Sequence, residues 1–168
     1  SLPWGHMNRE EHWLLQEKCG GAMSEAFLAD CERLTEGEPL SYIIGSIPFL
    51  NTTIFLDSHP LIPRPETEFW TQIALSEIKS SGVEAPKVLD LCAGSGCIGV
   101  AVLKNMDTAH VDFIDIDKAH LATIQKNCTK NGIPSERFAL YAGDVFKTVP
   151  QLETTYDFIL SNPPYIHK

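Results

Sequence analysis

The sequence predicts an α/β fold: a doubly wound, mostly parallel, Rossmann-like sheet. Three observations carry this. From Lys87 onward, short apolar runs alternate with helix-patterned segments. The first run leads into a glycine-rich turn, Gly94-Ser95-Gly96-Cys97-Ile98-Gly99. Acidic residues, Asp115 and Asp144, stand at the ends of the next two runs.

Each element follows from its own pattern. Ser1-Leu2-Pro3-Trp4-Gly5-His6 reads as an expression-vector remnant, with Met7 a native start. Residues 7–37 form a short helical segment, broken at Gly20-Gly21 and resumed at Ser24, an N-cap. Residues 38–60 hold a turn-in, a short hydrophobic stretch and a β-hairpin over 47–57, with Asn51-Thr52 near its turn. The main domain, 61–168, opens on a stiff loop, Leu61-Ile62-Pro63-Arg64-Pro65-Glu66. A helix then runs from Glu66 to Ser80, with Trp70, Ile73, Ala74 and Ile78 on one side. Beyond a linker at 82–86, strands are expected at 87–91, 111–116, 138–142 and 156–161. Helices are expected at 97–105 and 118–131, the latter stopped by Gly132.

Composition narrows the function. The chain has 168 residues, 43% hydrophobic and 21% charged, ordinary for a globular protein. No apolar run approaches the ~20 residues of a membrane helix, so no membrane partner is expected. A net charge of −9 disfavours direct nucleic-acid binding, which depends on neutralising phosphates. The five cysteines show no CxxC or Cys/His ligand spacing. They read as reduced thiols in a cytoplasmic protein, and no metal site is expected.

The chemistry concentrates at strand ends. Gly94 and Gly96 let the backbone turn sharply beside a ligand, although a tight turn with no ligand has the same pattern. Asp115 can accept both hydroxyls of a ribose, while Asp117 reads as a helix N-cap. Asp144 can accept an adenine amino proton, with the Val145 backbone at the ring edge; a plain turn residue is the alternative. The Gly-x-Gly-x-x-Gly spacing also suits NAD, but Asp90 precedes the loop. A carboxylate repels a pyrophosphate and attracts an ammonium. Asp90, Asp115 and Asp144 together therefore favour S-adenosyl-L-methionine.

Asn162-Pro163-Pro164-Tyr165 ends the last strand. Two prolines stiffen the backbone and remove two donors. Asn162 Oδ1 and the Pro163 carbonyl can each accept one N–H of a planar NH2 group, and Tyr165 can cover its face.

With these motifs in place, the chain resembles the HemK/PrmC-type protein-glutamine N-methyltransferases of peptide chain release factors, over about 38–166. The resemblance rests on Glu38-Pro39-Leu40-Ser41-Tyr42-Ile43-Ile44-Gly45, Ile62-Pro63-Arg64-Pro65-Glu66-Thr67-Glu68, Asp90 to Gly96, Asp115, Asp144 and Asn162 to Ile166. It implies that Cys92, Ala93, Gly94, Ser95 and Gly96 line the methionine part of the cofactor. It also implies that Asn162, Pro163, Pro164 and Tyr165 hold a glutamine amide, with Asn162, Pro163 and Tyr165 catalytic. Arg64 would border the site, or else pair with Glu66 or Glu68. The implied partner is a release factor, methylated in its Gly-Gly-Gln loop. Two other readings are an amino methyltransferase acting on adenine in nucleic acid and a non-catalytic cofactor-binding fragment. The family's sheet has seven strands, and four are legible before Lys168. The chain thus reads as C-terminally incomplete, with a shorter N-terminal helical part than the family's.

Overall fold

The computed structural model describes residues 7–164. The readings of Ser1–His6 as a vector remnant and of Tyr165 as a face-covering ring lie outside the described residues. The chain divides into two units, 1–46 and 47–168.

In the first unit, α1 (Arg9–Glu17), α2 (Glu25–Thr35) and α3 (Leu40–Ile44) surround Leu14, Leu15, Phe27 and Ile43. Asn8 and Glu11 close a reciprocal capping box on α1, and Ser24 Oγ accepts the Phe27 N–H to start α2. Asp30, nearly buried, is compensated by Lys18 at 2.6 Å and Arg33 at 2.9 Å. The hydrophobic stretch Leu40–Ile44, unassigned from the sequence, forms a short helix, because its apolar side chains cover the two helices before it.

A hairpin follows, β1 (Ser46–Phe49) and β2 (Thr52–Phe55), all but Ser46 in the second unit. Its turn is Leu50-Asn51, one residue earlier than expected, with φ of 40° and 63°. Positive φ at both positions is the type I′ arrangement, whose twist matches that of the flanking strands. Then follow α4 (Pro65–Ser80), β3 (Lys87–Leu91), α5 (Cys97–Asn105), β4 (His110–Asp115), α6 (Lys118–Lys130), β5 (Phe138–Ala142), α7 (Val145–Thr148) and β6 (Phe158–Ser161). The four main strands are parallel in the order β5-β4-β3-β6. The direction of winding reverses between β3 and β6. Ligands bind outside the strand ends at such a reversal. The segments after β3 and β6 are the glycine-rich turn and Asn162-Pro163-Pro164.

The expected apolar face of α4 needs correction. Thr67, Thr71, Leu75 and Ile78 are buried, whereas Ile73 is exposed. The two threonines are tolerated inside because they are hydrogen-bonded. Thr71 Oγ1 donates to the Thr67 carbonyl at 2.7 Å, and Thr67 Oγ1 accepts a bond from Asn162.

A polar stripe on α6 holds the segment after the hairpin turn. Asn131 accepts the Thr53 N–H at 3.0 Å and donates to the Thr53 carbonyl at 2.9 Å. Asn127 does the same for Phe55, at 2.8 and 3.1 Å. Residues four apart on a helix rise about 6 Å, and residues two apart on a strand about 6.6 Å. Two asparagines at i and i+4 can therefore serve alternate strand residues, replacing a missing neighbour strand. Further on, Lys126 pairs with Asp57 at 2.5 Å, and Thr123 Oγ1 accepts the Ser58 N–H at 3.2 Å. This zipper delivers Leu61–Pro63 to the ends of the strands.

Helix α5 lies close against the sheet. A Cβ on Gly99 would sit 2.2 Å from the Phe113 ring and 2.9 Å from Val111. Gly99→Ala should therefore lower stability by about 1–3 kcal/mol through overpacking, read as a lower urea midpoint with an unchanged slope.

Candidate active site

Asp115 organises the loop beyond β3. Its Oδ2 accepts the Gly94 N–H at 2.8 Å, and its Oδ1 accepts the Asp117 N–H at 2.9 Å. The Ala93 N–H donates to the Ile114 carbonyl at 3.1 Å. The turn between β3 and α5 is thus fastened to the end of β4. Cys92, Gly94 and Gly96 all take left-handed φ, 56°, 55° and 74°. Only glycine fits at 96, where a Cβ would also meet Ile124 at 2.8 Å. Ser95 is held from below, its carbonyl accepting from Asn127 Nδ2 at 2.9 Å. Each Asp115 oxygen keeps a second lone pair for a further donor.

Asp90 is wholly buried, and its Oδ2 accepts the Gly99 N–H at 2.9 Å. Gly99 is the third residue of α5, whose own N-cap, Gly96, has no side chain to offer. A carboxylate from the neighbouring strand therefore caps the helix. Its other oxygen, Oδ1, has no hydrogen-bond partner. Burial, with a smaller contribution from Asp115, pushes the Asp90 carboxyl up to about 8 against the opposing pull of Gly99. The negative charge that the sequence reading placed beside the loop is therefore largely neutralised by a proton at pH 7, in the absence of a cation.

Asp117 is an N-cap as expected, accepting the Ala119 N–H at 2.8 Å. Asp144 is one too: its Oδ1 accepts the Phe146 N–H at 3.0 Å and starts α7, whose first residue is Val145. The turn-residue reading of Asp144 describes this oxygen, and its second oxygen is not used by the cap. The Gly143 N–H donates to the Asp115 carbonyl at 3.0 Å, so Asp144 and Asp115 stand on joined strand ends. Ile116 and Phe146, 74% and 87% exposed, directly follow Asp115 and Val145. The sequence reading missed both; two apolar side chains just past paired acidic strand ends were the available signal.

A cleft of about 40 Å³ brings the remaining motifs together: Leu61, Ile62, Pro63 and Thr67 on one side, Cys92 to Ser95 with Cys97 and Ile98 on another, and Asn162 at the end of β6. Asn162 Nδ2 donates to Thr67 Oγ1 at 3.3 Å, and Ser161 Oγ donates to the Leu91 carbonyl at 3.0 Å. Burial first, then Asp115 and Asp90, raise the Cys92 thiol and so favour its protonated form. Arg64 is exposed and does not line the cleft, and its side chain makes no ion pair among the described residues. The pairing with Glu66 or Glu68 is thereby corrected; Glu68 instead accepts the Leu50 N–H at 2.9 Å. A larger cavity, about 250 Å³, lies between the hairpin turn and α4 and contains none of the motif residues. The convergence of three motifs favours the smaller cleft as the reacting centre.

Comparison with known proteins bears on the family and the fold. A release factor glutamine methyltransferase from Flavobacterium psychrophilum is 36% identical over 135 residues, covering 80% of this chain and 46% of the relative. One from Bordetella pertussis is 36% identical over 163 residues, covering 95% and 58%. A ribosomal protein uL3 glutamine methyltransferase from Bradyrhizobium diazoefficiens is 29% identical over 141 residues, covering 80% and 43%. The chain spans about half the length of the curated relatives it matches. Among solved structures, the methyltransferase subunit of a Streptococcus thermophilus type I restriction-modification system superposes with a TM-score of 0.53 at 22% identity. It covers 77% of this chain and 27% of that one, and it supports the fold alone. The family model of the methyltransferase small domain matches residues 65–168, more than half the chain. The chain therefore belongs to the methyltransferase small domain family.

Proposed function

We propose that this chain carries the cofactor site and amide clamp of a protein-glutamine N-methyltransferase that uses S-adenosyl-L-methionine. The observation that carries the reading is the meeting of Asn162, Leu61 to Pro63 with Thr67, and the glycine-rich loop in one cleft. S-adenosylmethionine supplies an activated methyl group on a positively charged sulfur. The residues fit a cationic ligand: Asp90 keeps a buried carboxyl oxygen without a partner, and Asp115, Asp90 and Asp144 all act on Cys92 within the cleft. A pyrophosphate would meet the Asp115 and Asp144 carboxylates unfavourably and would offer no positive charge to the buried Asp90 oxygen.

In this reading Asp115 takes the ribose hydroxyls on its remaining lone pairs. Asp144 and the Val145 backbone take the adenine edge, between Ile116 and Phe146. Cys92 to Gly96 follow the methionine chain, with Asp90 facing its ammonium. Asn162 Oδ1 and the Pro163 carbonyl accept the two N–H bonds of the glutamine amide, and Pro164 keeps that backbone stiff. An amide nitrogen is a weak nucleophile. Two acceptors orient it toward the methyl and favour the positive charge that grows on nitrogen during attack. Tyr165 completes the clamp and Arg64, exposed beside the cleft, meets the protein substrate. Pro63 and Ile62 exclude water from the reacting atoms.

The relatives' names agree on glutamine and differ in the protein modified, a release factor or ribosomal protein uL3. The amide is therefore better supported than the partner, and a release factor is the partner proposed, because the enzymes named for it match at 33–37% identity and the uL3 enzyme at 29%. A reducing, cytoplasmic setting accompanies this reading, and all five cysteines are free thiols. Among the described residues, no helix is long and apolar enough to cross a membrane.

Two measurements test these assignments. Incubation with methyl-labelled S-adenosylmethionine and a release factor should place one methyl on the Gly-Gly-Gln glutamine, located by mass spectrometry. Label appearing in nucleic acid and not in the factor would replace this reading with the adenine one. The second concerns Asp90, whose folded value of about 8 means a bound proton at neutral pH. A ligand ammonium stabilises the carboxylate and expels that proton. Calorimetry near pH 6.5, below the α-amino range of about 7.7–8.0, should show buffer-dependent enthalpy with about one proton released. Binding should tighten as pH rises toward 7. Asp90→Asn should bind without proton release; an unchanged buffer dependence in that variant would remove Asp90 from the ammonium site.

A further inference from the structure

We propose that Asn127 is a positioning residue for the glycine-rich loop, so that a cofactor bound there also tightens β2; the inference rests on the cofactor-site reading above. Helix α6 clamps β2 with two asparagines in the same way, Asn131 at Thr53 and Asn127 at Phe55. The two differ in what else they hold. The Asn131 amide makes its other bond inside α6, to the Asn127 carbonyl at 2.8 Å. The Asn127 amide donates instead to the Ser95 carbonyl, at 2.9 Å, and is wholly buried. One clamp serves the strand; its twin serves the strand and the loop.

The polarity of the Asn127 amide is fixed, because each of its partners is a backbone group. A backbone N–H only donates and a carbonyl only accepts. Oδ1 takes the Phe55 N–H at 2.8 Å, and Nδ2 serves the Phe55 and Ser95 carbonyls at 3.1 and 2.9 Å. A turned-over amide would face all three with the wrong group. The peptide between Ser95 and Gly96 is thereby held at both ends: Asn127 takes its carbonyl, and its N–H donates to the Ala93 carbonyl at 2.7 Å. Restraint matters here because glycines flank Ser95. Gly94 and Gly96 both take left-handed φ, 55° and 74°, and leave the neighbouring peptide planes freer to rotate than other residues would. Asp115 restrains the first of them through the Gly94 N–H. Asn127 restrains the next peptide from below. Ser95 and Gly94 both line the cleft, so the peptide that Asn127 fixes is part of its wall. A ligand that orders this wall also orders the amide that holds Phe55. The coupling runs equally in the other direction. Beyond Phe55 the chain reaches Leu61, Ile62 and Pro63 on the opposite side of the cleft. Filling the cofactor side thus steadies the substrate side.

The test compares Asn127→Leu with Asn131→Leu. Each removes one clamp from β2, and only the first releases Ser95. Affinity for S-adenosyl-L-homocysteine is measured by calorimetry, at a temperature where circular dichroism shows both variants folded. Asn127→Leu should weaken binding about tenfold, the weight of one hydrogen bond. Asn131→Leu should stay within about twofold of wild type. Equal loss in the two, or none in Asn127→Leu, would overturn the proposal, because a purely structural clamp predicts no difference between them. A second readout needs no variant. In amide hydrogen exchange of wild type, the ligand should slow the Phe55 N–H more than the Thr53 N–H; equal slowing of both means that no coupling passes through Asn127. A third needs no ligand. The Gly96 N–H should exchange faster in Asn127→Leu than in Asn131→Leu, and identical rates mean that Asn127 does not hold the loop. Should wild type bind no S-adenosyl-L-homocysteine while the Gly96 rates still differ, the cofactor reading fails and the positioning contact stands.

Discussion

The site depends on one constraint: the backbone of β2 must find hydrogen-bond partners where no further strand is available. An unpaired buried N–H or carbonyl costs as much as a lost hydrogen bond. Asn127 and Asn131 meet that need from α6, and Asn127 also binds the Ser95 carbonyl. One wholly buried carboxamide therefore links the hairpin, the helix and the glycine-rich loop. The chain leaving β2 can only run along α6, and it arrives over the cleft as Leu61, Ile62 and Pro63. α4 starts there, which puts Thr67 opposite Asn162. The position of the substrate side of the cleft thus traces back to two asparagines on the far side of the cofactor loop.

The cofactor side is built by carboxylates that each do two things. Asp115 pins Gly94 and Asp117 while keeping lone pairs for a ligand. Asp144 starts α7 with one oxygen. Asp90 caps α5 with one oxygen and leaves the other buried without a partner. Burying that unsatisfied group costs folding energy, and a cationic ligand would offset it. This explains how the same Gly-x-Gly-x-x-Gly spacing that elsewhere cradles a pyrophosphate can here favour a sulfonium and an ammonium. In the proposed reading the loop shape is shared, and the acidic residues around it favour a cationic ligand.

Much of this was legible in the sequence. The strand–helix alternation after Lys87 marks buried parallel strands, and helix α5 and strand β5 have the bounds expected. The acidic strand ends and Asn162-Pro163-Pro164 announce their positions through residue types that serve a sheet badly. What was not legible comes from partners distant in the chain. Thr67 and Thr71 look solvent-facing until Asn162 and the helix backbone satisfy them, so the buried face of α4 keeps Ile78 from the expected side, gains the two threonines and leaves Ile73 exposed. Asn127 and Asn131 look like surface residues of an amphipathic helix until β2 lies beside them. The second role of Asp90, capping the next helix through the Gly99 N–H, is not legible, because nothing local shows that a strand residue reaches that helix end. Of the two ion-pair partners expected for Arg64 if it does not border the site, Glu66 and Glu68, the second instead accepts the Leu50 N–H of the hairpin turn.

The central claim is that the loop fastened by Asp115 is a site for an adenosyl sulfonium ligand. It is tested most directly by a crystal structure of the chain with S-adenosyl-L-homocysteine. The account predicts the ribose hydroxyls on Asp115, the adenine at Asp144 between Ile116 and Phe146, and the amino group directed to Asp90 Oδ1. A ligand absent from the β3–β4 ends, or a dinucleotide binding there in preference, would contradict it.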